Sequence, residues 1–409
     1  MQDTKLFETI LGLERPWRIA RVALDATEER VDLWLEHASE VRWPCPACAT
    51  ALPCRDHSEE RVWRHLDTCQ FQTFLHARVP RVECPQHGVR QVRVTWAEDR
   101  SRFTALMERL IIDLIQQCST VTGACRIARI SWDEAWGVMR RAVARGQARK
   151  PRRKVRYVGV DEKSFRKAHH YHTVVCDLER STVEYVAPDR KVESLAPYFA
   201  GLTTAQRAHM AAVAMAMWDP YIRATREGLA NGAERIVLDR FHVMRDITTA
   251  VDLVRKQEHR ALQRDGESVL TKTKYLWLYA EENLPEKHRA AFDALRKLDL
   301  KVGRAWAIKE SLRKLWDYRR LAAAQRYFAR WYGWARRSRL DPIRRVAATI
   351  QRHQDGVLRY CQHPITNGVA EGLNSKIMSI KRKACGFRNP DHFATAIYFH
   401  CGGLDLYPR

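Results

Sequence analysis

Tyr157-Val158-Gly159-Val160-Asp161-Glu162-Lys163 is a short apolar run that ends abruptly in acids. Such a run suits a buried strand, and the charges that follow it suit an exposed strand tip. The strand delivers the Asp161 carboxylate to the edge of a sheet. A carboxylate there is costly unless something positive meets it.

More strands follow. Tyr171–Asp177 and Thr182–Val186 are close enough to pair with the first run as an antiparallel meander. A helix is expected over about Val192–Gly201. A fourth strand over Ala211–Met217 is small and apolar throughout, as a strand covered on both faces would be. A helix from Pro220 and a fifth strand over Arg235–Asp239 complete the series. Three antiparallel strands, helix, strand, helix, strand is the ribonuclease-H-like order. That fold sets acids at the ends of its first and fourth strands, with a third acid from a later helix. Asp161 takes the first place. Glu371, in Asn367-Gly368-Val369-Ala370-Glu371-Gly372-Leu373-Asn374, is the candidate for the third; on a helix it shares a face with Asn374, Met378 and Arg382. Carboxylates so clustered suit Mg2+ or Mn2+, which activate a water or a 3′-hydroxyl for in-line attack on a phosphodiester.

Upstream, a short helix and two strands, Trp17–Leu24 and Val31–Leu35, precede two matched turns, Cys45-Pro46-Ala47-Cys48 and Cys84-Pro85-Gln86-His87. Two-residue spacing lets both ligands of a turn face one ion, so Cys45, Cys48, Cys84 and His87 read as a Cys3His zinc ribbon. Cys54-Arg55-Asp56-His57 is a competing pair ranked lower, and Cys69 reads as a packed thiol. From Arg102 the period turns helical, with Phe103, Leu106, Leu110, Ile111 and Leu114 on one face. A helix from Gly123 and a turn at Ile130 lead to the capping box Ser131-Trp132-Asp133-Glu134, a helix-turn-helix pattern. Residues 140–156 read as a basic linker. Its Arg140, Arg141, Arg152, Arg153 and Lys154 are candidate DNA contacts.

The 409 residues carry a formal net charge of +23, which favours nucleic acid as the partner. The polar start Met1-Gln2-Asp3-Thr4-Lys5 is followed by no apolar segment of the signal-peptide kind, and no stretch approaches a membrane span. The 11 cysteines, scattered through a long chain, read as reduced thiols rather than a disulfide scaffold. A cytoplasmic, nucleoid-associated bacterial protein without membrane contact is expected.

Val160-Asp161-Glu162-Lys163-Ser164-Phe165-Arg166-Lys167 resembles transposases of bacterial insertion sequences of the ISL-three family. So do Asp239-Arg240-Phe241-His242-Val243, the block Asn367–Asn374, and Ile380-Lys381-Arg382-Lys383-Ala384-Cys385-Gly386-Phe387-Arg388-Asn389. The resemblance covers nearly the whole chain. It implies a DDE transposase that binds the inverted terminal repeats of its element and target DNA, both double-stranded, and cuts and joins DNA with Mg2+ or Mn2+. Action on two ends implies a homodimer. The family pattern sets the second catalytic Asp at the place of Ala216, in Val213-Ala214-Met215-Ala216-Met217-Trp218-Asp219. The chain is therefore expected to be disarmed; the alternative is a transposase-derived DNA-binding repressor. Asp239 and His242 look like the family's Asp-x-x-His signature, serving strand-end geometry or DNA handling.

The expected architecture is multidomain α+β. A zinc-binding domain spans 1–100 and a helix-turn-helix domain 101–150. A ribonuclease-H-like α/β catalytic domain over 151–242 and 361–409 is interrupted by an all-α insertion over 243–360. In the insertion Ile308, Leu312 and Leu315 share a face. Trp277, Trp306, Trp316, Trp331 and Trp334 read as core or, for some, as base-stacking platforms, and Arg319, Arg320, Arg336, Arg337 and Arg339 as phosphate contacts. In the tail, Asn374, Lys381, Arg382, Lys383 and Arg388 are candidate DNA contacts; Gly386 permits a reversal, and Phe393–Phe399 a final helix on the sheet. His169, His170 and His172 cluster beside the first acid and read as surface or core residues rather than ligands.

Overall fold

The computed structural model describes residues 3–166 and 170–409, which divide into two compact units. The first holds the residues up to Lys150 together with Lys383–Cys385 and Leu404–Arg409; the second holds Pro151–Arg382 and Gly386–Gly403.

The first unit opens with α1 (Asp3–Leu11), β1 (Trp17–Asp25), β2 (Arg30–His37), β3 (Arg42–Pro44), β4 (Ala51–Arg64), β5 (Gln72–Cys84) and β6 (Gly88–Gln91). The strands form one sheet in the order β1-β2-β5-β4-β3, with β6 paired to β5. Alternating side chains bury Trp17, Leu33, Trp63, Leu75 and Val79 in its core. Cys69, expected as a packed thiol, is exposed.

Helices α2 (Ala105–Gln117), α3 (Val121–Ala128) and α4 (Trp132–Arg149) follow. The α2 face differs from the one the apolar spacing suggests. Met107, Glu108, Ile111, Ile112 and Ile115 are buried, whereas Leu106 and Leu110 are exposed. The physical reason is Glu108, a fully buried acid whose oxygens meet Arg141 and, at 2.9 Å, Arg145. Stripping both arginines would leave an uncompensated buried charge, at a cost of about 3–5 kcal/mol. Arg129, in left-handed conformation at the end of α3, binds Asp67 and the Gln70 carbonyl, both at 2.7 Å, and so pins the helix-turn-helix turn. Ser131 and Glu134 form the expected capping box.

Helix α4 runs through Arg149, so most of the stretch read as a linker is helical. Gly146 permits this by close packing: a Cβ there would lie 2.7 Å from Leu404 Cβ. Arg145 and Arg149 donate to the carbonyls of Leu406 and Tyr407 respectively. Of the stretch read as a linker, only residues 150–156, after α4, lie outside helix and strand.

The second unit is built on β7 (Tyr157–Arg166), β8 (His170–Asp177), β9 (Thr182–Pro188), β10 (Ala212–Met215) and β11 (Ile236–Leu238), in the order β11-β10-β7-β8-β9. β7, β8 and β9 pair antiparallel, and β10 runs parallel to both β7 and β11. This is the ribonuclease-H-like order expected. Helices α5 (Val192–Ala200), α6 (Thr204–His209) and α7 (Asp219–Gly228) fill the crossovers. Phe199 and Tyr221 are fully buried in this layer.

Helix α8 (Arg240–Arg264) leaves β11 after one residue and carries the chain into α9 (Lys274–Leu278), α10 (Glu286–Arg296), α11 (Lys301–Arg313), α12 (Leu321–Arg337), α13 (Asp341–Arg352) and α14 (Gln354–Leu358). Their buried side chains are continuous with those of the sheet, from Val158 to Ile350. Ile308, Leu312 and Leu315 are buried, as are Trp277, Trp306, Trp316 and Trp331; only Trp334 of the five tryptophans is exposed. Helix α15 (Gly368–Lys383) then returns to the sheet, and α16 (Pro390–Cys401) packs on β9, with the Val186 amide donating to Tyr398 Oη at 2.9 Å.

Candidate active site

The first strand does not stop at its acid: β7 pairs with β8 through Arg166, so Asp161 is buried in mid-strand rather than carried on an exposed tip, and the ends of β10 and β11 meet it there. β10 pairs with β7 with Ala214 opposite Gly159, and with β11 with Met215 opposite Leu238. Continuing both registers past the strand ends sets Asp161, Ala216 and Asp239 in one row. The Asp239 amide still donates to the Met215 carbonyl at 2.9 Å. Paired residues of parallel strands face the same side of a sheet, so the row has a carboxylate at each end and a methyl between. Asp219 lies elsewhere, exposed at the start of α7 with His353 3.9 Å away.

Helix α15 closes the site. Asn374 Nδ2 donates to Asp161 Oδ2 at 2.6 Å, while Asp161 Oδ1 accepts from the Glu162 amide at 2.9 Å. One turn before Asn374 stands Glu371. At the start of the helix the Asn367 amide donates to Asp239 Oδ1 at 3.2 Å, and Asn367 Nδ2 to the Val160 carbonyl at 3.3 Å. His242 Nδ1 lies 3.0 Å from Asp239 Oδ2. Residues 367, 371 and 374 fall on one helical face, which sequence spacing suggested for 371 and 374. Asn367 was missed; its polar side chain ahead of a helix reads as an ordinary cap.

The electrostatics follow from crowding acids in a buried place. Burial, and then the charges of Glu162 and Glu371, lift Asp161 to about 6 against the help of its amide donor and His242. Glu371 is also raised, by burial and by Asp239. Burial opposes the His242 imidazolium, but the Asp239 hydrogen bond and charge outweigh it and raise its pKa.

Glu371 Oε1, Asn374 Oδ1 and Asn367 Oδ1 are all buried without a donor. Unpaired buried acceptors cost free energy, and hard oxygens beside two carboxylates are the donors a small divalent cation takes. The residues therefore fit Mg2+ or Mn2+.

The basic candidates lie in different settings. Arg140, Arg152, Arg153, Lys154, Arg382 and Arg388 are exposed. Arg141 is spent on Glu108. Lys381 donates to the Ser164 carbonyl and Lys383 to that of Cys118. Asn374 is buried on Asp161 rather than open to a phosphate. In the insertion, Arg319, Arg320, Arg336, Arg337 and Arg339 are exposed. His172 is buried edge-on against Phe393 and His170 is exposed, while His169 lies outside the described residues.

The metal-binding turns of the first unit are complete. Cys45, Cys48, Cys84 and His87 bring their donor atoms within 4.8 Å of one another. Cys48 Sγ and Cys84 Sγ are 3.7 Å apart, and Cys84 Sγ and His87 Nδ1 3.4 Å. Zinc with Zn–S of about 2.3 Å and Zn–N of about 2.0 Å needs tetrahedral edges of about 3.8 and 3.5 Å. The Thr50 hydroxyl and amide lower the Cys48 thiol to about 6, toward the ligating thiolate. Cys54 and His57 stand apart from this group, with Sγ 3.9 Å from Nε2 and His57 engaged by His37 at 2.9 Å.

A zinc ribbon, a helix-turn-helix and a ribonuclease-H-like sheet with acids gathered where β7 and the end of β11 meet α15 define a DNA-processing enzyme of the DDE class. Residues 158–397 match the ISL3 transposase family, so the chain belongs to the ISL3 family of transposases. Residues 42–87 match the zinc finger of the IS204/IS1001/IS1096/IS1165 transposases, and residues 92–143 the helix-turn-helix domain of the ISL3 family. The chain is 28% identical to the transposase for insertion sequence element IS1557 of Mycobacterium tuberculosis, over 95% of this chain and 94% of that protein. It is 27% identical to the transposase for IS1001 of Bordetella parapertussis, over 96% and 97%.

Proposed function

We propose that this chain binds the inverted terminal repeats of an insertion sequence and that Asp161 and Glu371 hold its catalytic cation, Mg2+ or Mn2+. The observation that carries the reading is the 2.6 Å bond from Asn374 to Asp161, which fixes the helix bearing Glu371 against the strand bearing the first acid. When bound, the cation activates the attacking oxygen and stabilises the leaving one. The chain's own residues set the stage: Asn374 and the Glu162 amide orient the two Asp161 oxygens, and both must be unprotonated at that carboxylate for it to ligate. Asp239 has one oxygen on the Asn367 amide and the other on His242, which supports a role in strand-end geometry more than direct ligation. Arg140, Arg152, Arg153, Lys154, Lys381, Arg382 and Arg388 supply positive charge for phosphates, and a homodimer brings two element ends together.

Ala216 leaves the middle of the acid row without a carboxylate, so we expect cleavage and strand transfer to be impaired. The same gap favours a second reading, a DNA-binding repressor derived from a transposase. A cleavage assay on terminal-repeat DNA separates them. Under the first, Ala216→Asp cuts in Mg2+ or Mn2+ where the parent chain is weak. Under the second both stay inert while binding persists. Full cutting by the parent chain sinks the disarmed reading.

A further inference from the structure

We propose that Asn367 is the positioning residue of the acid site, tying its three converging elements together. This rests on the reading of Asp161 and Glu371 as cation ligands. Asn367 is 0% exposed. Its amide reaches Asp239 at the end of β11, its Nδ2 reaches the Val160 carbonyl of β7 one residue before Asp161, and its carbonyl accepts the Glu371 amide at 2.9 Å. One side chain and its own peptide groups thus touch Asp239 at one end of the acid row, the residue that precedes Asp161 at the other end, and the turn that carries the helix acid.

Two further features of the molecule fit this role. Gly159 makes room for it: a Cβ at 159 would lie 2.7 Å from Asn367 Oδ1. Asp239 and His242 acquire a purpose that needs no contact with the cation. His242 holds one Asp239 oxygen, which aims the other at the first turn of α15, where a carboxylate also favours the helix N-terminus. Groups of this kind behind a metal site orient its ligands, and their loss typically weakens metal affinity about 10–100-fold.

The test is Mn2+ titration of the full, zinc-loaded chain, read by calorimetry or by the resonance of free Mn2+, with zinc content and thermal melting measured in parallel. Asn367→Asp keeps the size but turns a donor into an acceptor facing the Val160 carbonyl; Gly159→Ala displaces the side chain without altering it. The inference expects each to weaken Mn2+ binding about tenfold or more while zinc content stays at the parent value. Parent-like Mn2+ affinity in either variant, folded, overturns it. Should one variant fail to fold, the other decides; should both, amide exchange in the parent decides, with protection at Asn367 and Glu371 rising on Mn2+ addition if the inference holds and unchanged if it does not. A parent chain that binds no Mn2+, or binds it equally after Asp161→Asn, overturns the cation reading and this inference with it.

Discussion

The zinc centre and the acid site of this chain are put together in opposite ways. The zinc centre comes from two tight turns, each a self-contained hairpin end, and all four donors are present within 4.8 Å. The acid site comes from β7, β10, β11 and α15, and the residues that meet in it are separated by as many as 213 positions. It lacks a carboxylate at Ala216 and leaves three buried oxygens without donors. A complete donor set stabilises its own fold when the ion binds. A crowded, incomplete set of acids works against the fold that holds it. One region should therefore lose stability when its ligands are removed, and the other should gain it.

The largest effect is expected at zinc. Structural zinc contributes on the order of 10 kcal/mol in small zinc modules. Cys84→Ser, or a strong chelator, should abolish zinc binding and melt the first unit, seen as loss of its tryptophan fluorescence signal and of DNA binding. Retained melting behaviour without zinc would break the comparison on this side.

The next effect is opposite in sign. Asp161 is raised from 3.8 to about 6. The unfolded chain releases this proton near pH 4 and the folded chain near pH 6, so folding stability falls as pH rises through that window. The penalty then persists above it, at roughly 3 kcal/mol. Asp161→Asn should therefore raise the melting temperature at pH 7 and leave it nearly unchanged at pH 4. Mn2+ should stabilise the parent chain more at pH 7 than at pH 5. A destabilised Asp161→Asn chain at pH 7 would contradict the crowding described above.

The smallest effect sharpens the boundary of the zinc centre. Cys54 and His57 sit close to each other but outside the ligand group. Cys54→Ser should keep one zinc per chain and shift stability by no more than about 0.5 kcal/mol. Loss of zinc in that variant would mean the ligand set has been drawn wrongly.

The contrast also explains what the sequence could say. Short-range spacing announces the zinc turns, because both ligands of each turn lie within four residues. The strand bearing Asp161 is legible from its apolar run, though not its continuation through the charged residues to Arg166, and the strand order follows from a handful of such runs. Where long-range partners decide, spacing misleads. The apolar spacing of α2 places its buried face about one residue off, because Glu108 is drawn inward by Arg141 and Arg145 from another helix. The same holds for Asn374, which reads as a phosphate contact by composition and is consumed by Asp161. The linker read over 140–156 is helical to Arg149 because buried acids and chain-end carbonyls absorb its charge. Asn367 stands in the family-like block Asn367–Asn374 but reads locally as a helix cap; the trace of its buried role is Gly159, a glycine inside a strand that makes room for its side chain.

The central claim is that acids on β7 and α15 converge on a cation site left one carboxylate short by Ala216. Titrating Mn2+ into the zinc-loaded parent chain and into Ala216→Asp tests it most directly. The account predicts measurable binding in the parent that Asp161→Asn abolishes, and binding at least tenfold tighter, or of a second ion, in Ala216→Asp. Identical isotherms for the parent and Ala216→Asp would contradict it.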